Sequence, residues 1–220
     1  MGKVLAIYGA GGLGREVLEL AGLINRKYDK WEKIIFVIDG NPGAPVNGIP
    51  VYNYANATEE YGNALEFTIG IGEPAIREKI FTKLKSVGMV VATLIHPEVY
   101  MPETTLIGQG VTINMGAFIS CNVTICDNVY IQPQVNIGHD CILEEGCVIS
   151  AFGNVAGAVH IGKYVYLGIS SCIKEKIIVG DYSIVGMASA VYKDIPKEVV
   201  AVGNPARPMK KNEERHIFKQ

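Results

Sequence analysis

The stretch LIGQGVTINMGAFISCNVTICDNVYIQPQVNIGHDCILEEGCVIS, residues 106–150, decides the fold, and its pattern runs on to residue 191. Every sixth residue is aliphatic: Ile107, Ile113, Ile119, Ile125, Ile131, Ile137, Leu143, Ile149, Val155, Ile161, Leu167, Ile173, Val179, Val185 and Val191. Two places earlier in each hexad the residues are mostly small or β-branched, among them Ala117, Val123, Val129, Cys141, Cys147, Gly153 and Ser171. Glycine often follows the aliphatic residue directly, as at Gly108, Gly138, Gly162, Gly168, Gly180 and Gly186. A period of six fits neither an amphipathic helix nor an alternating strand; it is a solenoid pattern. Each hexad supplies one short strand with its aliphatic side chain inward, and the small residues let the chain turn a corner. Three hexads close one triangular coil, so the fifteen hexads predict five coils. Stacked at about 4.8 Å per strand they form a parallel β-helix roughly 24 Å long.

The chain has 220 residues and the repeat uses fewer than half, so the first hundred form something else. A net charge of −2 points away from nucleic acid and anionic membrane surfaces as partners. The apolar run at residues 4–7 is too short for a signal peptide or a membrane span, and a cytoplasmic location is expected. All five cysteines (Cys121, Cys126, Cys141, Cys147, Cys172) fall inside the repeat, with no Cys-x-x-Cys pair. They read as buried small residues, not as disulfides or metal ligands.

Residues 3–8 read as a buried strand, followed by Gly9-Ala10-Gly11-Gly12-Leu13-Gly14 and a helical run from Arg15 to about Ile24. This is a Gly-x-Gly-x-x-Gly pattern in its strand–turn–helix setting, where glycines admit a phosphate to the backbone and the helix N-terminus offers N–H groups to it. The alternative is a tight turn in a Rossmann-like unit that binds nothing. A second strand, residues 34–38, ends at Asp39, which reads either as a partner for ribose hydroxyls or as a loop cap. Asn41-Pro42-Gly43 and Asn47-Gly48-Ile49-Pro50 are turns, and residues 67–71 form a third strand that leads to Gly72. Pro74 opens a helix with Ile76, Ile80, Phe81 and Leu84 at helical spacing, on which Arg77 reads as solvated or ion-paired. Residues 90–95 read as one further strand, and His96-Pro97 marks the junction with the repeat. The expected division is 1–96, 97–195 and a tail, 196–220, whose charged end reads as a short helix or a frayed terminus.

A β-helix has no interior cavity, so chemistry must sit on its outer faces or between chains. Of the two histidines in the repeat, His160 precedes Ile161 and alternation turns it outward. His139 lies at the edge of a coil and is followed by Asp140. Imidazole accepts protons near neutral pH, and a carboxylate partner fixes its tautomer. Contact between the two is not assured, because neighbours on an extended chain point apart. The histidines are too few and too scattered for a metal site, and no nucleophile elbow is present.

In order along the chain, Tyr8-Gly9-Ala10-Gly11-Gly12-Leu13-Gly14, Asn47-Gly48-Ile49-Pro50-Val51, Ile95-His96-Pro97, Gly138-His139-Asp140-Cys141, Leu167-Gly168-Ile169 and Gly203-Asn204-Pro205-Ala206 resemble the sialic-acid O-acetyltransferase-like branch of the hexapeptide-repeat acyltransferases. That branch includes the N-acetyltransferases of UDP- and GDP-linked 4-amino sugars, the bacillosamine and perosamine types. The resemblance implies an α/β Rossmann-like domain followed by a left-handed parallel β-helix, a homotrimer, and acetyl-CoA in the groove between neighbouring prisms. It implies His139 as general base, Asp140 as its carboxylate, and the Gly157 N–H facing the acetyl carbonyl. It places Gln132, Gly157, Gly168, Ile169, Gly186, Met187, Asn204 and Arg207 along coenzyme A. Gly9, Gly11, Gly12, Leu13, Gly14, Asp39 and Gly72 fall at the sugar nucleotide. No metal is implied.

Several positions depart from the family pattern: Leu13 and Val148 stand where histidines are usual, Gly40 follows Asp39 in place of a second aspartate, and Gln132 stands where an amide or small polar residue is usual. Acetylation of a nucleotide-linked 4-amino sugar for surface-glycan synthesis is the expected reaction. O-acetylation of sialic acid or another sugar hydroxyl is the second reading. A nicotinamide-dependent oxidoreductase and a non-catalytic trimeric scaffold are the readings from other classes; the first leaves the prism unexplained and the second leaves His139-Asp140 unexplained.

Overall fold

The computed structural model describes residues 2–217. The first part is a five-stranded parallel sheet built from β1 (Val4–Tyr8), β2 (Lys33–Ile38), β3 (Val51–Asn53), β4 (Leu65–Ile69) and β5 (Val90–Val91), in the spatial order β3-β2-β1-β4-β5. Helix α1 (Gly12–Tyr28) covers one face; α2 (Tyr54–Tyr61) and α3 (Pro74–Ser86) cover the other. β1 is buried at every position because it is central and covered on both faces, which explains its unbroken apolar run. α1 begins inside the glycine loop, three residues before its expected start, and ends at Asp29 in the left-handed conformation.

The strand expected over residues 90–95 is two strands. Val90–Val91 pairs with β4, whereas β6 (Leu94–Ile95) pairs with Thr112–Ile113 in the prism. Two residues between them carry the chain from one sheet to the other, so the prism's own sheet starts before His96. His96 is buried, and its Nδ1 accepts the Glu98 N–H at 3.3 Å.

From residue 106 the chain winds through two-residue strands that pair in parallel with partners eighteen residues on, as Tyr130↔Val148 and Asn136↔Asn154 do. Three flat faces result. The first carries Thr124, Ile142 and His160; the second carries Tyr130, Val148 and Tyr166; the third carries Asn136, Asn154 and Cys172. The aliphatic column fills the interior from Ile113 to Val191, and each member there is at most 3% exposed. Ile107 is the exception at 40%, because no coil lies beneath it on its face.

The corners are turned differently from the sequence expectation. The small residues two places before the column are buried inside each corner, and the residue just before them takes the left-handed conformation. That residue is glycine at Gly110, Gly116 and Gly146, but elsewhere it carries a side chain, as at Asn122, Asn128, Gln134 and Asp140 and even at Phe152, Tyr164 and Tyr182. The glycines after the column serve close approach instead: a Cβ on Gly138 would sit 2.7 Å from the Gly157 nitrogen of the next coil. The cysteines divide by the same geometry. Cys141 and Cys147 are at the inward corner position and buried, but Cys121 and Cys172 point outward and are exposed, contrary to the uniform burial expected.

The C-terminal segment is neither helix nor frayed end as far as residue 217. Val199–Gly203 extends the second face and pairs antiparallel with Ala206–Lys211. Beyond it Arg215 stacks on Tyr182, 3.7 Å from the ring centroid, and the Ile217 N–H reaches the Glu73 carboxylate at 3.0 Å. The last three residues of the tail lie outside the described residues.

Candidate active site

The three edges of the prism have separate uses. The edge between the first and second faces is occupied by α3. The edge between the third and first faces carries His139, Asp140 and Gly157; the edge between the second and third carries Gln132, Gly168, Ile169, Gly186 and Met187.

His139 and Asp140 do meet: Nδ1 and Oδ2 are 2.7 Å apart. The contact depends on the left-handed backbone of Asp140 (φ 58°), which bends the chain so that adjacent side chains converge instead of alternating. Asn122, one coil earlier, donates its amide to Asp140 Oδ1 at 3.0 Å. The sequence reading missed Asn122; its eighteen-residue spacing from Asp140 was the available signal. The hydrogen bonds from His139 and then Asn122 hold the Asp140 carboxyl below its ordinary range. An ionised carboxylate only accepts, so Nδ1 carries the proton and the Nε2 lone pair of the neutral ring is free.

Nε2 lies over Gly157. A Cβ built there would be 2.5 Å from Nε2 and 2.6 Å from Cε1, so only glycine leaves room for the ring. The Gly157 N–H donates to no group among the described residues, while its carbonyl accepts from Lys176 N at 3.0 Å. Half-buried Gly157 and the exposed His139 ring are therefore neighbours on this edge. His160 sits on the first face with Nε2 3.1 Å from Glu144 Oε1. Among the described residues no three or more His, Cys, Asp or Glu side chains gather as a metal site would require.

The Ala151 N–H donates to the Gln132 side-chain oxygen at 2.9 Å, bracing that edge. Ile169 and Met187 are exposed. The Val199–Gly203 and Ala206–Lys211 hairpin closes the far end of this edge: Gly203 N donates to Ser189 Oγ at 3.0 Å, and Val202 lies against Gly186. Asn204 and Arg207 at its tip are exposed. The residues expected along coenzyme A thus follow one edge, except Gly157, while the histidine is one face-width away, about 16 Å for five residues of extended chain.

In the N-terminal domain, Gly9, Gly11, Gly12, Gly14, Asp39 and Gly72 gather at the carboxyl ends of β1, β2 and β4, where open α/β sheets bind ligands. The glycines are not equivalent. Gly9 has φ 108°, and a Cβ on Gly14 would fall 2.0 Å from the Gly9 carbonyl oxygen, so both are demanded by the turn. Gly11 and Gly12 border open space and keep ordinary φ, so nothing in the packing requires them to be glycine. Gly11 is also the N-cap of α1, which therefore has no side-chain cap. Leu13 is half-buried and packs with Val148 and Tyr166 between α1 and the second face. Both histidine departures, Leu13 and Val148, therefore fall in a single apolar contact between the two parts of the chain. Tyr130 is buried in that contact too, and Phe152 is exposed.

Asp39 is not a simple loop cap. Tyr8 donates its hydroxyl to Oδ1, and Lys83 Nζ reaches the same oxygen at 3.0 Å and the Tyr8 hydroxyl at 2.9 Å. The Tyr8 bond and then Lys83 keep the Asp39 carboxyl below its ordinary range. Oδ2 has no hydrogen-bond partner among the described residues, and Asp39 lines a cleft of about 530 Å³ with Gly40, Asn41, Asn53, Tyr54 and Ala55.

The two parts of the fold each match a known domain. Residues 4–84 match the PglD N-terminal domain, and residues 122–157 match the bacterial transferase hexapeptide (six repeats). The chain thus carries a PglD-type N-terminal domain followed by transferase hexapeptide repeats, and the helix is of the left-handed kind. It is similar to the acetyltransferase domain of PglB from Neisseria gonorrhoeae, also solved with acetyl coenzyme A, with a TM-score of 0.87, 28% identity, and coverage of 94% of this chain and 100% of that one. It is similar to PerB from Caulobacter crescentus in complex with CoA and GDP-perosamine, with a TM-score of 0.85, 27% identity, and coverage of 95% and 98%. Among curated proteins it is 36% identical over 106 residues to an acyl-[acyl-carrier-protein]–UDP-N-acetylglucosamine O-acyltransferase of Burkholderia orbicola, matching 48% of this chain and 38% of that enzyme. The chain thus spans well under half the length of the curated relatives it matches.

Proposed function

We propose that this protein transfers an acetyl group from acetyl-CoA to the amine of a nucleotide-linked 4-amino sugar. The observation that carries the reading is the His139 imidazole, oriented by Asp140 and lying with Nε2 against Gly157, whose N–H has no partner among the described residues. The PglB domain, solved with acetyl coenzyme A, and PerB, solved with CoA and GDP-perosamine, support the class of both substrates.

In this reading the amine attacks the thioester carbonyl while His139 Nε2 takes its proton, an effect typically worth about 10²–10⁴ in rate. The carbonyl oxygen gains charge as the C–N bond forms, and the Gly157 N–H donates to it; such a donor commonly contributes about 3–4 kcal/mol. The C–S bond then breaks, and the imidazolium returns a proton to the departing thiolate. The Gly11–Gly12 backbone and Asp39 Oδ2 hold the nucleotide. A homotrimer follows from the same reading. The His139 edge and the Ile169–Met187 edge belong to different sides of one prism, so a second copy must bring its own edge against the histidine to complete a groove.

The test is thiol release from acetyl-CoA against UDP-linked and GDP-linked 4-amino sugars and free sialic acids, with His139→Ala alongside. Transfer to an amino sugar nucleotide, lost in the variant while the oligomer persists, is the expected result. Transfer only to a hydroxyl would move the reading to O-acylation, the reaction class of the Burkholderia relative.

A further inference from the structure

Arg77 has no place in the chemistry above, yet it is fully buried. It is neither solvated nor ion-paired, contrary to the sequence expectation: no carboxylate pairs with it among the described residues. Nη1 donates to the carbonyls of Ile69 at 2.9 Å and Ile71 at 3.2 Å, where β4 runs into the Gly70–Gly72 turn. Nη2 donates to the Asn128 carbonyl at 2.8 Å and to Asn128 Oδ1 at 2.7 Å, on a corner of the prism. The guanidinium also sits 5.2 Å from the Tyr130 ring centroid. Burial pulls its pKa down to about 10, so it stays charged at neutral pH.

Burying a guanidinium without an anion is costly, and an apolar side chain of similar volume avoids that cost. What the apolar side chain lacks is a rigid planar fork that grips carbonyls of two bodies at once. The rest of α3 is fastened to the same edge, with Lys85 Nζ 3.2 Å from Asp127 Oδ2 and the Tyr182 hydroxyl 3.3 Å from Glu78 Oε1. Those contacts are exposed or half-exposed; Arg77 is the buried, directional one.

We propose that Arg77 is a positioning residue that locks the Gly70–Gly72 turn of the N-terminal domain to the Asn128 corner of the prism. The lock sets where a nucleotide held at the glycine loop delivers its sugar amine. This rests on the acetyltransferase reading for its consequence, but not for its geometry. Displacement of the amine by about 1 Å costs on the order of 100-fold in rate.

The test uses the full chain with Arg77→Lys, Arg77→Met and Asn128→Gly. Lysine keeps charge and stem but not the fork, and glycine suits the left-handed backbone of residue 128 while removing the side-chain acceptor. For Arg77→Lys, kcat is expected to fall about 100-fold. KM for acetyl-CoA and calorimetric affinity for UDP or GDP should hold at wild-type values. Amide hydrogen exchange should rise in peptides covering 69–77 and 126–131 and stay unchanged in β1 and the inner coils. Guanidinium ion added to Arg77→Met should restore part of kcat. Wild-type kcat with wild-type exchange in these variants would overturn the proposal, as would a kcat loss matched by lost nucleotide affinity. Should the wild type acetylate no amino sugar nucleotide, the functional reading fails, and exchange at 69–77 and 126–131 still decides whether Arg77 is the clasp.

Discussion

Replacing Gly157 by alanine tests the active-site geometry most directly. The new Cβ would lie 2.5 Å from His139 Nε2 and 2.6 Å from Cε1. Unstrained carbon contacts begin at about 3.5 Å, so the ring must retreat by about 1 Å. Gly157 does not need a left-handed backbone, so alanine brings no conformational strain of its own. His139 is 61% exposed at the side chain and can swing into solvent, so the fold should tolerate the change. The catalytic cost is another matter: a displacement of that size costs on the order of 100-fold in kcat. The thiol-release assay reads the rate, and thermal unfolding checks the fold. Because both residues act through one ring, Gly157→Ala added to His139→Ala should cost little more than His139→Ala alone. Wild-type kcat in folded Gly157→Ala, or full additivity in the double variant, would refute the placement of the imidazole as the base over Gly157.

Three further outcomes are expected. His139→Ala should lower kcat by about 10²–10⁴ with acetyl-CoA affinity intact, measured by thiol release and calorimetry. Asp140→Asn removes an ionised acceptor at Nδ1 and leaves the ring free to turn or change tautomer; kcat should fall by up to about 100-fold, and nitrogen chemical shifts of the imidazole should report the mixed tautomer. Asp39 has a depressed folded pKa, so its contribution to stability is present above the unfolded value and is lost as pH falls through the folded one. Its carboxyl carbon should therefore titrate below the usual aspartate range in a pH series followed by NMR. Tyr8→Phe should move that midpoint upward, because the first cause of the shift is removed; an unmoved midpoint would count against the Tyr8–Asp39 bond.

The sequence by itself determined the prism, because a six-residue column is a local instruction repeated at every coil. Whether Ile131 or Leu167 points inward depends only on its place in the hexad. The βαβ start and the glycine loop were legible for the same reason: strand, turn and helix follow one another within about twenty residues, and their periods change in step. His139 stood out as a base candidate because imidazoles are scarce in the repeat.

What the tertiary structure decided were contacts between segments distant in the chain or bent out of regular geometry. Asp140 meets His139 only because its backbone is left-handed, and Asn122 reaches Asp140 only because one coil stacks on another. The residues at 90–95 look like one strand to any local pattern, yet the docking of two sheets divides them between both. Val148 and Leu13 looked like lost polar groups until the contact of α1 with the second face showed them packed together. Arg77 is the clearest case. A helix pattern gives its place on α3, but its burial depends on the Asn128 corner fifty-one residues away, and no periodicity encodes the docking of one domain against another.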